Sequence, residues 1–271
     1  MLKYYIKIVY VFIILSLVCN QGYAGNEKNR HLVFGGGWTY LGLRDQGLSS
    51  LYYDGGHAYI NAGYLNLLED KTNSVNFSFL TGKITPAINP ELTVSEMKII
   101  KAGINVSQMR SAGTLINGKG FFLIGGSSET VFTNYEHNQF TNSSLTNIFF
   151  STLNLSSSLS YPIIRDEQKY LLEFQMHLPL VAFIIRPSYA YIKPAGFEEH
   201  TTGNLQSLFN SIEVSTFNVF SGISSQLSLE YPLKNNNALR IEYRWKYFSH
   251  HNDNPIKSAS HGIVVQTMFN F

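Results

Sequence analysis

The sequence has one cysteine, few charged residues and no cluster of basic residues. Cys19 lies near the N-terminus, so a chain that loses its first segment has no cysteine, which excludes disulfides and cysteine chemistry. Charged residues make up 14% of the chain, below the ~25% of average proteins. The net charge of +2 comes without a basic patch, so nucleic acid is not an expected partner.

The first residues have the pattern of a secretory signal peptide. Lys3 and Lys7 precede an apolar run, and small residues follow it up to Ala24. The run is shorter than the ~20 residues that a membrane-spanning helix needs. The sequence therefore predicts a signal peptide over residues 1–24, cleaved after Ala24, and one mature domain over residues 25–271.

The mature part also lacks any apolar run of ~18 residues, so it can cross a membrane only as closed strands. Aromatic residues are nevertheless abundant, at 14% of the chain, while the mean hydropathy is only −0.04. A transmembrane β-barrel has this balance, because one face of each strand meets lipid and the other faces a polar interior.

Strict alternation of apolar and charged residues is clearest between Leu239 and Tyr247. Every odd position there is apolar or aromatic, and every even position is charged. In a β-strand, this period of two places the two sets on opposite faces. The final segment alternates in the same way and ends on Phe269 and Phe271.

Similar segments recur along the chain and predict about ten strands, within a range of about eight to twelve. The connections alternate between short ones (69–73, 111–118, 163–168, 234–237) and longer ones (45–56, 86–93, 131–141, 179–211, 249–258). Short periplasmic turns and long outer loops produce this alternation. The prediction is an all-β chain that forms a single closed, antiparallel, up-and-down transmembrane barrel.

The signal segment, the alternating strands and the ending Met268-Phe269-Asn270-Phe271 resemble those of bacterial outer-membrane β-barrel proteins. The resemblance implies a location in the outer membrane of a Gram-negative cell, in contact with its lipid. It also implies that Phe269 and Phe271, on the last strand, are the assembly signal read by the barrel insertion machinery. A fold of this class implies no particular activity.

Several charged residues fall on the inward faces of the predicted strands: Lys101, Glu173, Glu230, Arg240, Glu242, Arg244 and Lys246. A barrel of about ten strands is only slightly wider than an eight-stranded barrel filled by side chains, whereas aqueous porins need ~16 strands. We therefore expect these charges to pair with one another in a narrow lumen. A path for small solutes or a site for an anion is the alternative.

Ser249, His251 and His261 are the candidates for catalysis, because they lie near the predicted outer rim. Tyr243-Arg244-Trp245 followed by Ser249 resembles the penultimate strand of outer-membrane lipid A deacylases, whose His-x-Ser pair acts with a glutamate. Here Tyr247 stands where that family has its histidine, and residues 263–271 contain no acid. A reversed Ser249-x-His251 pair remains as the catalytic alternative. No metal site and no cofactor are expected.

The predicted loop over residues 179–211 is unusually long and begins with an apolar stretch. Loops of more than about 15 residues are usually functional or disordered, and an apolar one must be buried in the barrel mouth, against lipid or in a partner. The leading hypothesis is a non-enzymatic surface or structural protein that acts through its outer loops. The alternatives are an outer-membrane hydrolase of lipid or peptide with a rim site, and a narrow channel for small solutes.

Overall fold

The computed structural model describes residues 29–68, 70–88, 96–115, 120–137, 145–165, 168–186, 212–233, 236–251 and 254–271. The predicted signal peptide and residues 187–211 of the predicted long loop lie outside the described residues. Within the described ranges, no helix is long and apolar enough to cross a membrane.

The described residues form eleven β-strands. They are β1 (Asn29–Asp45), β2 (Tyr53–Leu67), β3 (Lys71–Pro86), β4 (Met97–Leu115), β5 (Gly120–His137), β6 (Leu145–Arg165), β7 (Gln168–Ile185), β8 (Glu213–Thr216), β9 (Phe220–Pro232), β10 (Ala238–His250) and β11 (Ile256–Asn270). Each pairs antiparallel with its neighbours, and β11 returns to β1, where Phe269 lies opposite Leu32. Ten strands close the barrel, while β8 pairs with the end of β7 and stands outside this ring. The predicted fold class is confirmed.

The two ends of the barrel differ in the length of their connections. β6 and β7 are joined through residues 166–167, whereas β1 and β2 at the opposite end are joined through residues 46–52. The end with the longer connections is called the upper end here. The start of β1 and the end of β11 both lie at the lower end, as an even number of barrel strands requires.

The apolar stretch after Pro179 belongs to a strand, so its prediction as part of a loop was wrong. β7 continues to Ile185, and its residues Ala182 and Ile184 are buried inside the barrel. Proline lacks a backbone N–H, and a register shift opposite Leu153 and Asn154 accommodates it within the strand. Other strands also extend beyond their predicted ends, such as β5, which reaches His137.

The outer surface of the wall carries a band of exposed apolar and aromatic side chains. Examples on neighbouring strands are Phe34, Trp38, Ile60 and Ile263, each more than half exposed. This is the surface that lipid covers in a transmembrane barrel. Because a strand crosses a bilayer in ~9–11 residues, the 21 residues of β6 extend well beyond the bilayer.

Charged side chains lie on the outer wall at the upper ends of β3, β4 and β5. Lys83 Nζ lies 2.7 Å from Glu96 Oε1, and Lys98 Nζ lies 3.8 Å from Glu136 Oε2. These groups are solvated rather than lipid-facing, so the upper part of the wall projects above the apolar band. The strands were predicted too short because the apolar side of the alternation fades in this projecting part.

Inward-facing apolar side chains form two clusters within the barrel. The upper cluster contains Leu41, Leu43, Tyr53, Leu80, Ile84, Met97, Ile99, Tyr135, Ile148, Phe150, Ala182, Ile184, Phe220 and Ile256. The lower cluster contains Val33, Leu65, Ala238 and Met268. Burying this apolar surface favours folding, and the upper cluster packs the inside of the projecting wall. The polar part of the lumen lies between the two clusters.

Candidate functional site in the barrel lumen

Arg240, on β10, holds two carboxylates in the lower half of the lumen. Its Nη2 atom lies 2.8 Å from Glu230 Oε2 on β9 and 3.5 Å from Glu173 Oε2 on β7. Arg240 and Glu230 are direct partners in the register, so the strand pairing itself brings them together. Ser158 and Gln175 also donate to Glu173 Oε1, at 2.7 and 2.8 Å. The three charges are thus held in one hydrogen-bonded group.

Arg244 forms a second group higher on the same strand. Its guanidinium donates to Glu242, two residues earlier on the same face, and to the hydroxyl of Tyr59 on β2. The guanidinium carbon also lies 4.8 Å from the centre of the Tyr59 ring, within cation–π range. Glu242 is buried, and Arg244 supplies the opposite charge that a buried carboxylate needs.

A third ion pair crosses the barrel. Lys246 Nζ, on β10, lies 2.5 Å from Glu129 Oε1 on β5, although these strands are far apart around the ring. All six residues of the predicted lumen network therefore lie inside the barrel, each within a charged pair or group. Glu129 completes the network and was missed, because it follows a Gly-Gly-Ser-Ser segment that has no apolar alternation.

Lys101, on β4, also points into the lumen but has a different environment. Among the described residues, its ammonium makes no hydrogen bond and no ion pair. The charged groups that act on it through space are Lys246 and Glu129. The side chain lines a cavity of about 270 Å³ in the middle of the lumen. Polar residues such as Glu129 and Gln175 line the same cavity, and so do Phe150, Phe220 and Phe248.

A buried network of hydroxyl and imidazole groups connects β5, β6 and β7. Ser156 Oγ lies 2.7 Å from His177 Nδ1 and donates to Ser127 Oγ at 2.9 Å, and Asn154 donates to the same hydroxyl at 3.1 Å. Ser156 is completely buried. Satisfied networks of this kind fix the register of polar wall strands, so we assign this serine–histidine contact a structural role.

The three candidate catalytic residues do not form one site. Ser249 Oγ lies 3.0 Å from His251 Nε2, so the structure brings this pair together at the upper rim. His261 lies opposite Trp245 in the register, four residues from Ser249 along β10, or ~13 Å at the strand rise. Its ring contacts Tyr40 on the outer wall, with the centroids 5.7 Å apart.

The surroundings of the Ser249–His251 pair do not suit a nucleophile. Ser249 is only 1% exposed, so a substrate cannot reach its hydroxyl. The small cleft beside His251 is lined by Arg44, Gln46, Pro255 and Lys257. Its charged members are cations, whereas a catalytic histidine is oriented by a carboxylate or another acceptor.

The inner rim contains two further groups of polar contacts that the sequence did not predict, one around Arg186 and one around His250. Arg186, at the end of β7, donates to Asp45 on β1 and, at 2.5 Å, to the carbonyl oxygen of Asn254. His250 Nε2 lies 3.3 Å from Glu213 Oε1 and 3.4 Å from Ser215 Oγ on β8. Burial lowers the pKa of His250, and Glu213 opposes this shift only in part.

Comparisons with known proteins agree with this architecture. No protein-family model matches the sequence, and no curated protein matches it. The solved structure of the outer-membrane protease OmpT from Escherichia coli is similar over 93% of this chain and 99% of that chain, with 8% identity and a TM-score of 0.51. The chain has the fold of a bacterial outer-membrane β-barrel.

Other similar structures belong to the same class. The translocator domain of the autotransporter NalP from Neisseria meningitidis matches 100% of this chain and 96% of that chain, with 7% identity and a TM-score of 0.45. Neisserial surface protein A matches 88% of this chain and 97% of that chain, with 11% identity and a TM-score of 0.36. A fold alone does not imply an activity.

Proposed function

We propose that the chain is a non-enzymatic surface protein of the bacterial outer membrane that acts through its upper wall and outer loops. The observation that carries this proposal is the ion pair of Lys246 and Glu129, which crosses the lumen from wall to wall. The upper apolar cluster packs the lumen above this pair. Conduction needs a continuous wet path with weak binding sites, so a lumen obstructed in this way favours a function on the surface.

The upper end supports such a role because it is a rigid platform. The strands continue beyond the apolar band, and the upper cluster packs their inner faces. Arg186 joins the end of β7 to the rim at Asp45, and His250 contacts β8. Loops attached to a rigid scaffold commonly carry binding functions. The long segment that follows β7 is the part that we assign to contact with a surface partner.

Two measurements test the proposal. The refolded chain should give no steps of current in a planar lipid bilayer at any voltage, and regular ion conductance would contradict the closed lumen. Deleting residues 193–205 should abolish binding of the surface partner in a pull-down from intact cells while the folded barrel keeps its heat-modifiable gel mobility. An unchanged set of bound partners after the deletion would count against the role assigned to the loop.

A hydrolase is the second candidate, and the contact between Ser249 Oγ and His251 Nε2 at 3.0 Å is the observation in its favour. Burial of the serine and the cations beside the histidine argue against it. The test is hydrolysis of lipid A and of peptide substrates by the refolded chain, with Ser249→Ala as the matched variant. Hydrolysis that Ser249→Ala abolishes would replace our proposal with this one.

A further inference from the structure

The lumen cavity is lined by both aromatic and charged side chains. The ring centroids of Phe150 and Phe248 are 5.1 Å apart, and those of Phe220 and Phe248 are 6.0 Å apart. Lys101 and Glu129 line the same cavity. A cavity lined by both kinds of side chain matches a molecule that has an apolar part and a polar head.

The charges of the lumen leave Lys101 without a direct partner. Arg240 contacts Glu173 and Glu230, while Arg244 contacts Glu242. Lys246 holds Glu129, so among the described residues no carboxylate contacts the Lys101 ammonium. An enclosed ammonium is costly unless an anion or water replaces its lost hydration. The cavity beside it is the place from which such a group can approach.

The size of the cavity limits the ligand to a small molecule. Its volume is about 270 Å³, which exceeds the apolar cavity of ~150 Å³ that binds benzene in an engineered lysozyme. A single chain of about eight to ten non-hydrogen atoms therefore fits, whereas a complete membrane lipid is too large.

The backbone pairing of the wall is interrupted beside this cavity. β7 pairs with β9 up to His177 opposite Ser224, and its pairing with β8 begins at Val181 opposite Thr216. Between these pairs Pro179 has no N–H to donate, and it packs beside Gly222, where an added Cβ would lie 3.3 Å from Pro179 Cγ. Both residues line the cavity.

We propose that this cavity binds a small anionic amphiphile, with its carboxylate on Lys101 and its apolar chain among Phe150, Phe220 and Phe248. In this proposal the molecule enters from the bilayer through the wall beside Pro179, where β7 and β9 are not joined by backbone pairing. This binding site goes beyond the proposed surface role and does not depend on the outer loops.

The test uses the full chain refolded in lipid nanodiscs, with octanoate and 1-octanol as probes. Calorimetric titration, corrected with empty nanodiscs, should show saturable binding of one octanoate per chain. Lys101→Met should weaken octanoate binding about tenfold to hundredfold, the range expected for a lost hydrogen bond to a charged group. 1-Octanol should bind the unchanged protein about as weakly as octanoate binds the variant.

Lys98→Met is the matched control, since Lys98 lies on the same strand but outside the barrel, where it faces Glu136. It should leave octanoate binding unchanged. Absence of saturable octanoate binding, or an equal effect of the two variants, would overturn the site. Equal affinity of the unchanged protein for octanoate and 1-octanol would overturn the role of Lys101, and this comparison needs no variant to fold.

Discussion

Replacing Arg240 with methionine is the sharpest test of the charge network. The change keeps an unbranched side chain inside the wall but leaves Glu173 and Glu230 without their shared cation. These side chains are only 10% and 19% exposed, so water cannot readily replace the guanidinium. Breaking a buried ion pair from one side costs about 3–5 kcal/mol of unfolding free energy, and we expect Arg240→Met to fall in this range.

The assay is urea unfolding of the refolded barrel, followed by heat-modifiable gel mobility and by tryptophan fluorescence. Lys98→Met is the control, since it breaks an ion pair whose side chains are 52% and 48% exposed. An exposed pair of this kind contributes about 0–1 kcal/mol. If both variants lose the same unfolding free energy, the lumen charges do not stabilise the barrel as we infer.

A second variant distinguishes the stability lost through unpaired charge from the stability lost through poorer packing. Combining Arg240→Met with Glu173→Gln and Glu230→Gln removes the uncompensated carboxylates and keeps similar volumes. Neutral replacement of a whole buried charge group is often close to neutral in stability, so the triple variant should recover most of the loss. A triple variant as unstable as Arg240→Met alone would show that lost packing, not unpaired charge, causes the effect.

Three further predictions concern the two ends of the barrel. Burial lowers the pKa of His250, so the unfolded chain takes up a proton at a higher pH than the folded barrel does. The unfolding free energy should therefore fall as the pH drops below the usual histidine pKa of 6.5. His250→Gln should reduce this loss in urea titrations at pH 5 to 7. Asp45→Asn removes the anionic partner of Arg186. When intact cells are treated with protease, this variant should be cleaved faster near the rim of the barrel, whereas Lys98→Met should be cleaved at the rate of the unchanged protein. Phe271→Ala should reduce assembled barrel in cells while refolding in detergent stays normal, and equal cellular assembly would refute its role as a signal.

The barrel itself was predictable because its lipid-facing and lumen-facing residues alternate in the sequence. Between Leu239 and Tyr247 the charges fall on every second position, and the structure places Arg240, Glu242 and Arg244 inside. Period-two alternation is local information, so one strand is enough to reveal it. The same reasoning failed after Pro179, where the strand continues past a bulge into the stretch that was predicted as a loop.

The partners of the lumen charges were not predictable from the same pattern. Arg240 and Glu230 lie on adjacent strands, so knowledge of the strand order and register suffices to pair them. Lys246 and Glu129 lie on β10 and β5, which face each other only after the ring closes. Local periodicity contains no information about such a contact, and the Gly-rich surroundings of Glu129 gave no indication of its face.

The distribution of these pairs also separates the two roles that we assign to the protein. Arg240 and Arg244 are each held by carboxylates in direct contact, and Lys246 connects opposite walls, so these cations brace the barrel. A cation already bound in this way has little to gain from a ligand, because the ligand must first displace its carboxylate. Lys101 lacks such a partner among the described residues and borders the cavity. It is therefore the cation that we expect to bind a ligand in the lumen. Surface contacts then depend on the upper wall and the outer loops. Lys101→Met should leave these contacts intact, and the deletion of residues 193–205 should leave octanoate binding intact.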